Sequence, residues 1–351
     1  MKFRNKRRLQ ILKQYIVGWT IAFIFLSIIR GEGTKEIGSV NMELWKAVLV
    51  SFIMGPFFGS ISGFVQILTE ENGYKQVAFQ KLLMFRILFA VLFVSLIVLL
   101  AYFIFSEDIS FVHFAFEPGS FAIYLYIVSV DIFMFNLRQV NLFFGSSNFW
   151  KLFRGKFYTP REEKRIFMFL DLQSSTTHAE NLGHVEYSKM IQDCFIDLGI
   201  ALENDAEIYQ YVGDGVILTW KLQDGIREQN CLNAYYNIKK QLTKRKEYYN
   251  QNYNCIPNFK AGMNSGVVTV AEVGKYKKEI AYHGDTINTA ARIQDQCNKL
   301  SQDFLISESL KNVLYTSSFI FSEHGSIELK GKEKQIISLE SKIKSLILLK
   351  S

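Results

Sequence analysis

The sequence has little that would cross-link or stiffen a secreted fold. Only four of its 351 residues are proline and four are cysteine. Cys194, Cys231, Cys255 and Cys297 contain no C-x-x-C pair and all lie in the second half. That excludes a disulfide scaffold and a cysteine-based zinc module, and fits reduced thiols. With 22 glycines and no repeat of them, collagen-like and low-complexity chains are excluded as well. Charged residues are sparse at 21%, while 49% are hydrophobic, which excludes global disorder. The net charge of +7 fits either nucleic-acid binding or a membrane protein with basic cytoplasmic loops. Position along the chain decides between them.

What the sequence does have is long apolar runs, and they crowd into the first 136 residues. Tyr15–Ile29, Ala47–Leu68, Ile87–Phe105 and Ser120–Phe135 each approach the ~20 residues that cross a bilayer. No small-residue cleavage site follows the first, so it reads as a span and not as a signal peptide. Ile87–Phe105 is apolar on every face, which argues against an ordinary buried helical core. Lys2, Arg4, Lys6, Arg7, Arg8 and Lys13 precede span one. Lys75, Lys81 and Arg86 follow span two, and Arg138, Lys151, Arg154 and Lys156 follow span four. The loop after span one mixes Arg30, Lys35 and Lys46 with Glu32, Glu36 and Glu43, and Ser106–Gly119 has neither Lys nor Arg. The balance places both termini in the cytoplasm and accounts for much of the basic charge without nucleic acid.

Gly55, Gly59 and Gly63 line one helical face, suited either to packing within the bundle or to a dimer contact. Asp131 inside span four is a functional-site candidate with no obvious partner in the sequence. Residues 137–165 mix apolar and basic side chains, as an amphipathic linker or coupling element would, broken near Gly145-Ser146-Ser147.

From residue 166 strands and helices interleave as one α/β domain, 166–340, followed by a tail, 341–351. Strands are expected at Ile166–Leu170, Glu207–Val212, Val216–Trp220, Phe259–Met263, Val267–Val273, Phe304–Ile306, Ser318–Ser322, Ser326–Leu329 and Ile336–Leu339. Helices are expected at Gly183–Asn204, Gln229–Tyr249 and Asp285–Lys299, with a hairpin tip at Lys275–Glu279.

Four pieces carry chemistry. Asp171 follows the first strand, and Asp214 sits in the turn Gly213-Asp214-Gly215. Carboxylates so placed can converge on hard cations that also take phosphate oxygens. Taken singly, they read equally as a helix cap and a turn residue. Leu172-Gln173-Ser174-Ser175-Thr176 opens a turn whose amides can cradle phosphates. Asn288 and Arg292, four apart after Gly284-Asp285, share a helical face and suit a ribose and phosphoryl charge; alone they read as a solvated face. Lys330-Gly331-Lys332 is a candidate phosphate contact, or a charged turn.

In this order the four resemble the catalytic domain of class III nucleotidyl cyclases, over roughly Arg161–Leu339. The resemblance implies a ferredoxin-like α+β palm behind the four-helix membrane bundle, and a head-to-tail homodimer with shared active sites. It implies two Mg²⁺ or Mn²⁺ ions at Asp171, Leu172 and Asp214, and phosphates wrapped by Leu172–Thr176 beside Gly213. The other protomer would supply Asn288 to the ribose, Arg292 to transition-state charge and Lys330 to the terminal phosphate. No dedicated protein base is implied. At the purine-specifying positions stand Gln210 and Ala281, where adenylyl enzymes usually have Lys with Asp or Thr, and guanylyl enzymes Glu and Cys. ATP is expected from the family's membrane-anchored bacterial-type members, with GTP or dual use as the alternative. A catalytically silent nucleotide-binding receptor or scaffold is the alternative of another class. The Gly-Gly-Asp/Glu-Glu-Phe signature of diguanylate cyclases is absent. The implied setting is a bacterial inner or plasma membrane with the catalytic domain cytoplasmic.

Overall fold

The computed structural model describes residues 3–33, 44–72, 77–105, 110–116, 118–144, 155–314, 319–327 and 336–343. The chain divides into two compact units, Met1–Ser146 and Ser147–Ser351.

The first unit holds four long helices: α1 (Phe3–Gly33), α2 (Leu44–Asn72), α3 (Phe79–Phe105) and α4 (Pro118–Phe144). Each is long and apolar enough to cross a membrane. Each extends beyond the apolar run that marks it in the sequence. Their outer surfaces are apolar too: Phe52, Leu92, Phe103 and Leu125 are all at least 60% exposed. A water-soluble bundle would turn such side chains inward.

The glycine stripe packs α2 against α1 inside the bundle. A β-carbon on Gly59 would lie 2.7 Å from the Ile16 Cα, and one on Gly63 3.1 Å from the Tyr15 Cβ. Beside that stripe, Ser62, Gln66 and Glu70 repeat every four residues and carry a polar row into the bundle. Tyr15 donates to Gln66 Oε1 at 3.2 Å, and Gln66 donates to Glu70 Oε1 at 3.0 Å. Glu70 accepts from Arg138 at 2.6 and 2.9 Å and from Arg7 at 2.6 Å.

Two sequence expectations need correction here. Asp131 does have a partner, and it is Arg86, grouped by the sequence pattern with a cytoplasmic loop. Arg86 lies within α3 and is only 4% exposed. Its guanidinium meets Asp131 through two contacts of 2.6 Å, and also donates to Ser62 at 2.6 Å. Ser62 donates to Asp131 at 2.7 Å, closing a triangle. The aromatic rings of Tyr15, Phe89 and Phe135 surround the cation. A long side chain one or two turns into a helix reaches the core even when its Cα sits near a loop.

The expected linker, 137–165, begins as the last turns of α4, and residues 145–154 lie outside the described residues. The second unit starts with β1 (Arg161–Leu172), which extends over the basic run assigned to the junction. There follow α5 (Ser175–Leu198), β2 (Glu207–Val212), β3 (Gly215–Lys221), α6 (Asn230–Lys244), α7 (Lys246–Tyr253), β4 (Phe259–Val273), β5 (Glu279–His283), α8 (Asp285–Lys299), β6 (Phe304–Ser307), β7 (Phe319–Ile327) and β8 (Ile336–Ile343). The sheet order is β2-β3-β1-β4-β6-β8-β7, with β5 also paired to β4. All pairs are antiparallel except β4 with β6.

Some boundaries differ from expectation for physical reasons. Residues 259–273 form one strand, not two. The polar Asn264-Ser265 step is buried, with Asn264 donating to the Thr286 carbonyl at 2.9 Å. The helix expected from Gly183 starts at Ser175 and breaks at Gly183 (φ 73°). The helix expected over 229–249 divides at Arg245 into α6 and α7. Arg245 and Tyr249 both donate to Asp197 on α5, at 2.9 and 2.6 Å, which fixes the second piece.

Strand alternation gives β1 two apolar faces. Ile166, Met168, Leu170 and Leu172 pack with Met190, Cys194, Ile238 and Tyr249 of α5, α6 and α7. Phe167 packs with Ile217, Val268, Tyr282 and Ala290 on the α8 side. Asp171 falls in the Phe167–Phe169 row. All four cysteines are free, and burial pushes the Cys231 thiol up to about 12.

Removing one member of a buried ion pair strands the other at a cost of about 3–5 kcal/mol, whereas replacing both is far milder. Arg86→Leu and Asp131→Leu should each lower the thermal unfolding midpoint of detergent-solubilised protein, and the double variant should recover most of the loss. Additive losses in the double variant would contradict the pairing.

Candidate active site

β1 delivers Asp171 at its penultimate position, and the β2–β3 hairpin delivers Asp214 at its tip. Register places them side by side: Leu170 pairs with Val216, and Val212 with Gly215 across a two-residue turn. Gly213 takes φ 60°, as such tight turns require. Gly215 is needed for the close approach, since a β-carbon there would lie 2.7 Å from the Leu170 carbonyl oxygen and 3.4 Å from Asp171 Oδ1.

The charges of this pair are not balanced. Asp214 Oδ2 is buried without a hydrogen-bond partner among the described residues. Desolvation, then the negative charges of Asp214 and Asp295, push the Asp171 carboxyl above the usual carboxylate range. Two converging carboxylates with an orphaned oxygen fit hard cations that complete their shells with phosphate and water. Among the described residues no group of three or more His, Cys, Asp or Glu is arranged to hold an ion.

The next five residues divide by role. Leu172 is 2% exposed, its side chain is in the core, and it pairs with Phe259. The Gln173 N–H donates to the Asn258 carbonyl at 2.9 Å. That amide, expected to wrap phosphates, is therefore already engaged. Ser174 turns the chain through a left-handed conformation (φ 58°, ψ 34°), and α5 begins at Ser175. Ser174, Ser175 and Thr176 then present amides that lack acceptors within the first helical turn.

α8 carries Asn288 and Arg292 on one side and buries Thr286, Thr289, Ala290, Ile293 and Cys297 on the other. It sits directly on β4 because Gly262 has no side chain to hold it off: a β-carbon there would clash with the Gln294 backbone. Asn288 is exposed and Arg292 half-buried. Neither has a hydrogen-bond or ion-pair partner among the described residues.

Gln210 is exposed near the end of β2, and Ala281 half-buried on β5. Between those strands the rings of Tyr209 and Tyr282 approach to 4.9 Å, with Phe167 5.3 Å from Tyr282. Lys330, with Gly331 and Lys332, lies outside the described residues.

The motif pattern overlooked two charged neighbours. Lys260 stands opposite Asp171 in the β1–β4 register, is 7% exposed and donates to Asn298 at 2.9 Å. Asp295 is close enough for its charge to act on Asp171. Asp295 falls on the helical side of Arg292 and was visible by i, i+3 spacing; Lys260 needed the strand register.

Because Asp171 has a raised folded-state pKa, its stabilising contribution is present below the unfolded value of about 3.9 and is lost as pH rises through the folded value. In chelator, Asp171→Asn should therefore unfold at higher temperature than the parent at neutral pH. The gain should shrink toward zero near about pH 4. Equal melting at neutral pH would contradict the charge imbalance.

Residues 157–340 match the family described as Adenylate and Guanylate cyclase catalytic domain. The chain is 30% identical over 210 residues to Adenylate cyclase 2 of Rhizobium meliloti (strain 1021), covering 59% of this chain. It spans 57% of that relative's length. Among solved structures, a bacterial light-regulated adenylyl cyclase is similar at a TM-score of 0.54 and 16% identity, covering 65% of each chain. The adenylyl cyclase CyaB from P. aeruginosa matches at a TM-score of 0.46 and 18% identity, covering 52% of this chain and 96% of that one. The fold, the aspartate pair at the end of β1 and a family match over more than half of the chain agree: the protein belongs to the class III adenylate/guanylate cyclases, with four candidate membrane helices ahead of the catalytic domain.

Proposed function

We propose that the protein is an integral membrane adenylate cyclase that converts ATP to 3′,5′-cyclic AMP and pyrophosphate for intracellular signalling. The observation that carries this reading is the uncompensated Asp171–Asp214 pair beside the amide-presenting turn Ser174–Thr176. The relative named an adenylate cyclase favours ATP. The distribution of Lys and Arg favours a cytoplasmic catalytic domain, even with Arg86 removed from the tally.

Asp171 and Asp214, with Leu172 alongside, would hold two Mg²⁺ or Mn²⁺ ions. When bound, these neutralise triphosphate charge and acidify the ribose hydroxyl. The Ser174–Thr176 amides bind phosphate oxygens. Gly213 keeps the hairpin tip narrow, and Lys330 binds the terminal phosphate. A second copy of the chain supplies its Asn288 to orient the ribose and its Arg292 to meet charge on the α-phosphate. That neither side chain has a partner among the described residues supports that shared arrangement. The 3′ oxygen bonds to the α-phosphorus, the bond to the bridging oxygen breaks, pyrophosphate leaves, and the hydroxyl proton passes to solvent. Holding the two ends of one substrate in line is the chief task of the side chains.

Purified protein incubated with ATP or GTP and Mg²⁺ or Mn²⁺, with product identification, tests the reading. Asp171→Ala and Asp214→Ala should each lose at least about a hundredfold in turnover, ~2.7 kcal/mol of transition-state stabilisation. Mixed Asp171→Ala and Arg292→Ala protomers should regain activity at one of two shared sites. Full turnover in both aspartate variants would sink the assignment, and inactive heterodimers would sink the shared site.

Gln210 and Ala281 favour a second reading, in which GTP is also used. A Gln amide satisfies either purine edge, and Ala281 has no polar group to be mismatched. A mismatched buried group costs ~1–3 kcal/mol, so ATP preference should be modest and should sharpen in Gln210→Lys/Ala281→Asp. A parent preference for ATP above ~10³-fold in kcat/KM would mean that other side chains read the base.

A further inference from the structure

The turn that follows Asp171 is held from outside by a chain of polar side chains that the catalytic motifs do not include. Asn258, just before β4, grips Gln173 twice. Its carbonyl accepts from the Gln173 N–H at 2.9 Å, and its side-chain amide donates to Gln173 Oε1 at 2.9 Å. The same amide reaches Asp303 Oδ1 at 3.5 Å. Asp303 is in turn fixed on three sides. Lys239 donates to its carboxylate at 2.7 Å, and its carbonyl accepts from Ala261 N–H at 2.8 Å and from the Tyr235 hydroxyl at 3.2 Å. Burial works against charge on Asp303, yet the Lys239 hydrogen bond and charge hold its carboxyl below the usual range. The result is a clamp, Lys239–Asp303–Asn258–Gln173, drawn from α6, the residue before β6, the residue before β4 and the turn itself.

The residue after the clamp explains what it is for. Ser174 is a non-glycine residue in the left-handed region, a conformation that persists only where its surroundings over-determine it. On its far side the turn is tied to α5, where His178 N–H donates to the Ser174 carbonyl at 3.1 Å. On its near side the fixed point is Gln173. With both ends held, Ser174 keeps its left-handed angles and the geometry of the turn after Asp171 is fixed. Loosened at Gln173, it would relax toward ordinary backbone angles and the turn would lose that geometry.

We infer that Asn258 is a positioning residue for the triphosphate, acting through Gln173 on the Ser174–Thr176 turn, with Asp303 and Lys239 orienting Asn258. The inference rests on the nucleotide cyclase reading of the site. It predicts a loss in phosphate binding that leaves the reacting groups themselves in place.

Asn258 is half-buried and lines a cavity of about 200 Å³ between α6 and the 256–259 segment, so truncation extends existing space without forcing the core to repack. The test uses purified full-length protein and three readouts. In Asn258→Ala, amide hydrogen exchange over 172–177 should accelerate without ligand, while the β1 amides stay protected. The Kd for Mg·pyrophosphate, measured by calorimetry, and the KM for ATP should rise together by about tenfold, with kcat within about threefold of the parent. Asn258→Asp should do the same by facing a carboxylate with Asp303. The swapped pair Asn258→Asp/Asp303→Asn should restore pyrophosphate affinity to within about threefold of the parent, because the amide placed at 303 donates to the carboxylate placed at 258 and the Gln173 amide turns over to donate to it as well. Unchanged exchange and affinity in Asn258→Ala, or a swapped pair no better than Asn258→Asp, would overturn the inference, as would a loss confined to kcat. If the parent makes no cyclic nucleotide, the functional reading fails, and the exchange and pyrophosphate arms still decide whether the clamp positions the turn.

Discussion

The catalytic unit depends on one strand being hydrogen-bonded along both edges. β1 is antiparallel to β3 on one side and to β4 on the other. With both neighbours fixed, its alternation is fixed: one row of side chains goes to the α5–α7 core, the other to α8. Asp171 inherits its place from that row. The pairing with β3 brings the Asp214 hairpin beside it, and the pairing with β4 brings Lys260 opposite and Asn258 against the following turn. A one-residue slip in β1 would turn Asp171 toward the apolar core and Leu170 or Leu172 toward the site. The carboxylate pair is thus a property of sheet register first and of local sequence second.

The membrane unit solves an opposite problem. Its helices are apolar over most of their surface, so apolar burial alone cannot choose which faces meet. Shape and a few polar groups make the choice. Gly59 and Gly63 admit α1 at backbone distance, and the neighbouring row Ser62, Gln66 and Glu70 finds partners on the other three helices. Arg86 and Asp131 cannot both be satisfied unless α2, α3 and α4 meet in one rotational setting. In this unit buried polarity specifies the arrangement of a bundle whose apolar surfaces are interchangeable.

What could be read from the sequence follows from how local each signal was. Gly213-Asp214-Gly215 was legible as a hairpin because turn chemistry is contained in three residues, and the helix after Gly284 because its start signal and apolar spacing are contiguous. The unbroken β4 was not legible: Asn264-Ser265-Gly266 has the composition of a turn, and pairing with Arg165, Ile166 and Phe167 of β1 together with packing against Thr286 on α8 keeps it extended. Arg86 was misread because composition places it with Lys75 and Lys81, while burial depends on which way a helix faces. Gln173 looked like one more phosphate amide, since its engagement by Asn258 joins residues 85 positions apart. Each failure involves a partner distant in sequence, and each success a signal complete within a few residues.

The carboxylates of this chain differ in how their charge is met, and the difference has chemical meaning. In the bundle, Asp131 and Glu70 are each met by an arginine of the chain itself, leaving little for an outside ion to gain there. At the end of β1 Asp171 has no ion-pair partner among the described residues, and the charges of Asp214 and Asp295 act on it. Lys260 stands across the strand, yet it donates to Asn298 and does not prevent the rise in the Asp171 pKa. Within the catalytic unit Asp197 is met by Arg245 and Asp303 by Lys239, so an acid pair with no such partner among the described residues is a feature of this site and not of the whole unit. That is the electrostatic condition the proposed function requires, since such a pair would gain cations most readily together with a polyphosphate that completes their shells.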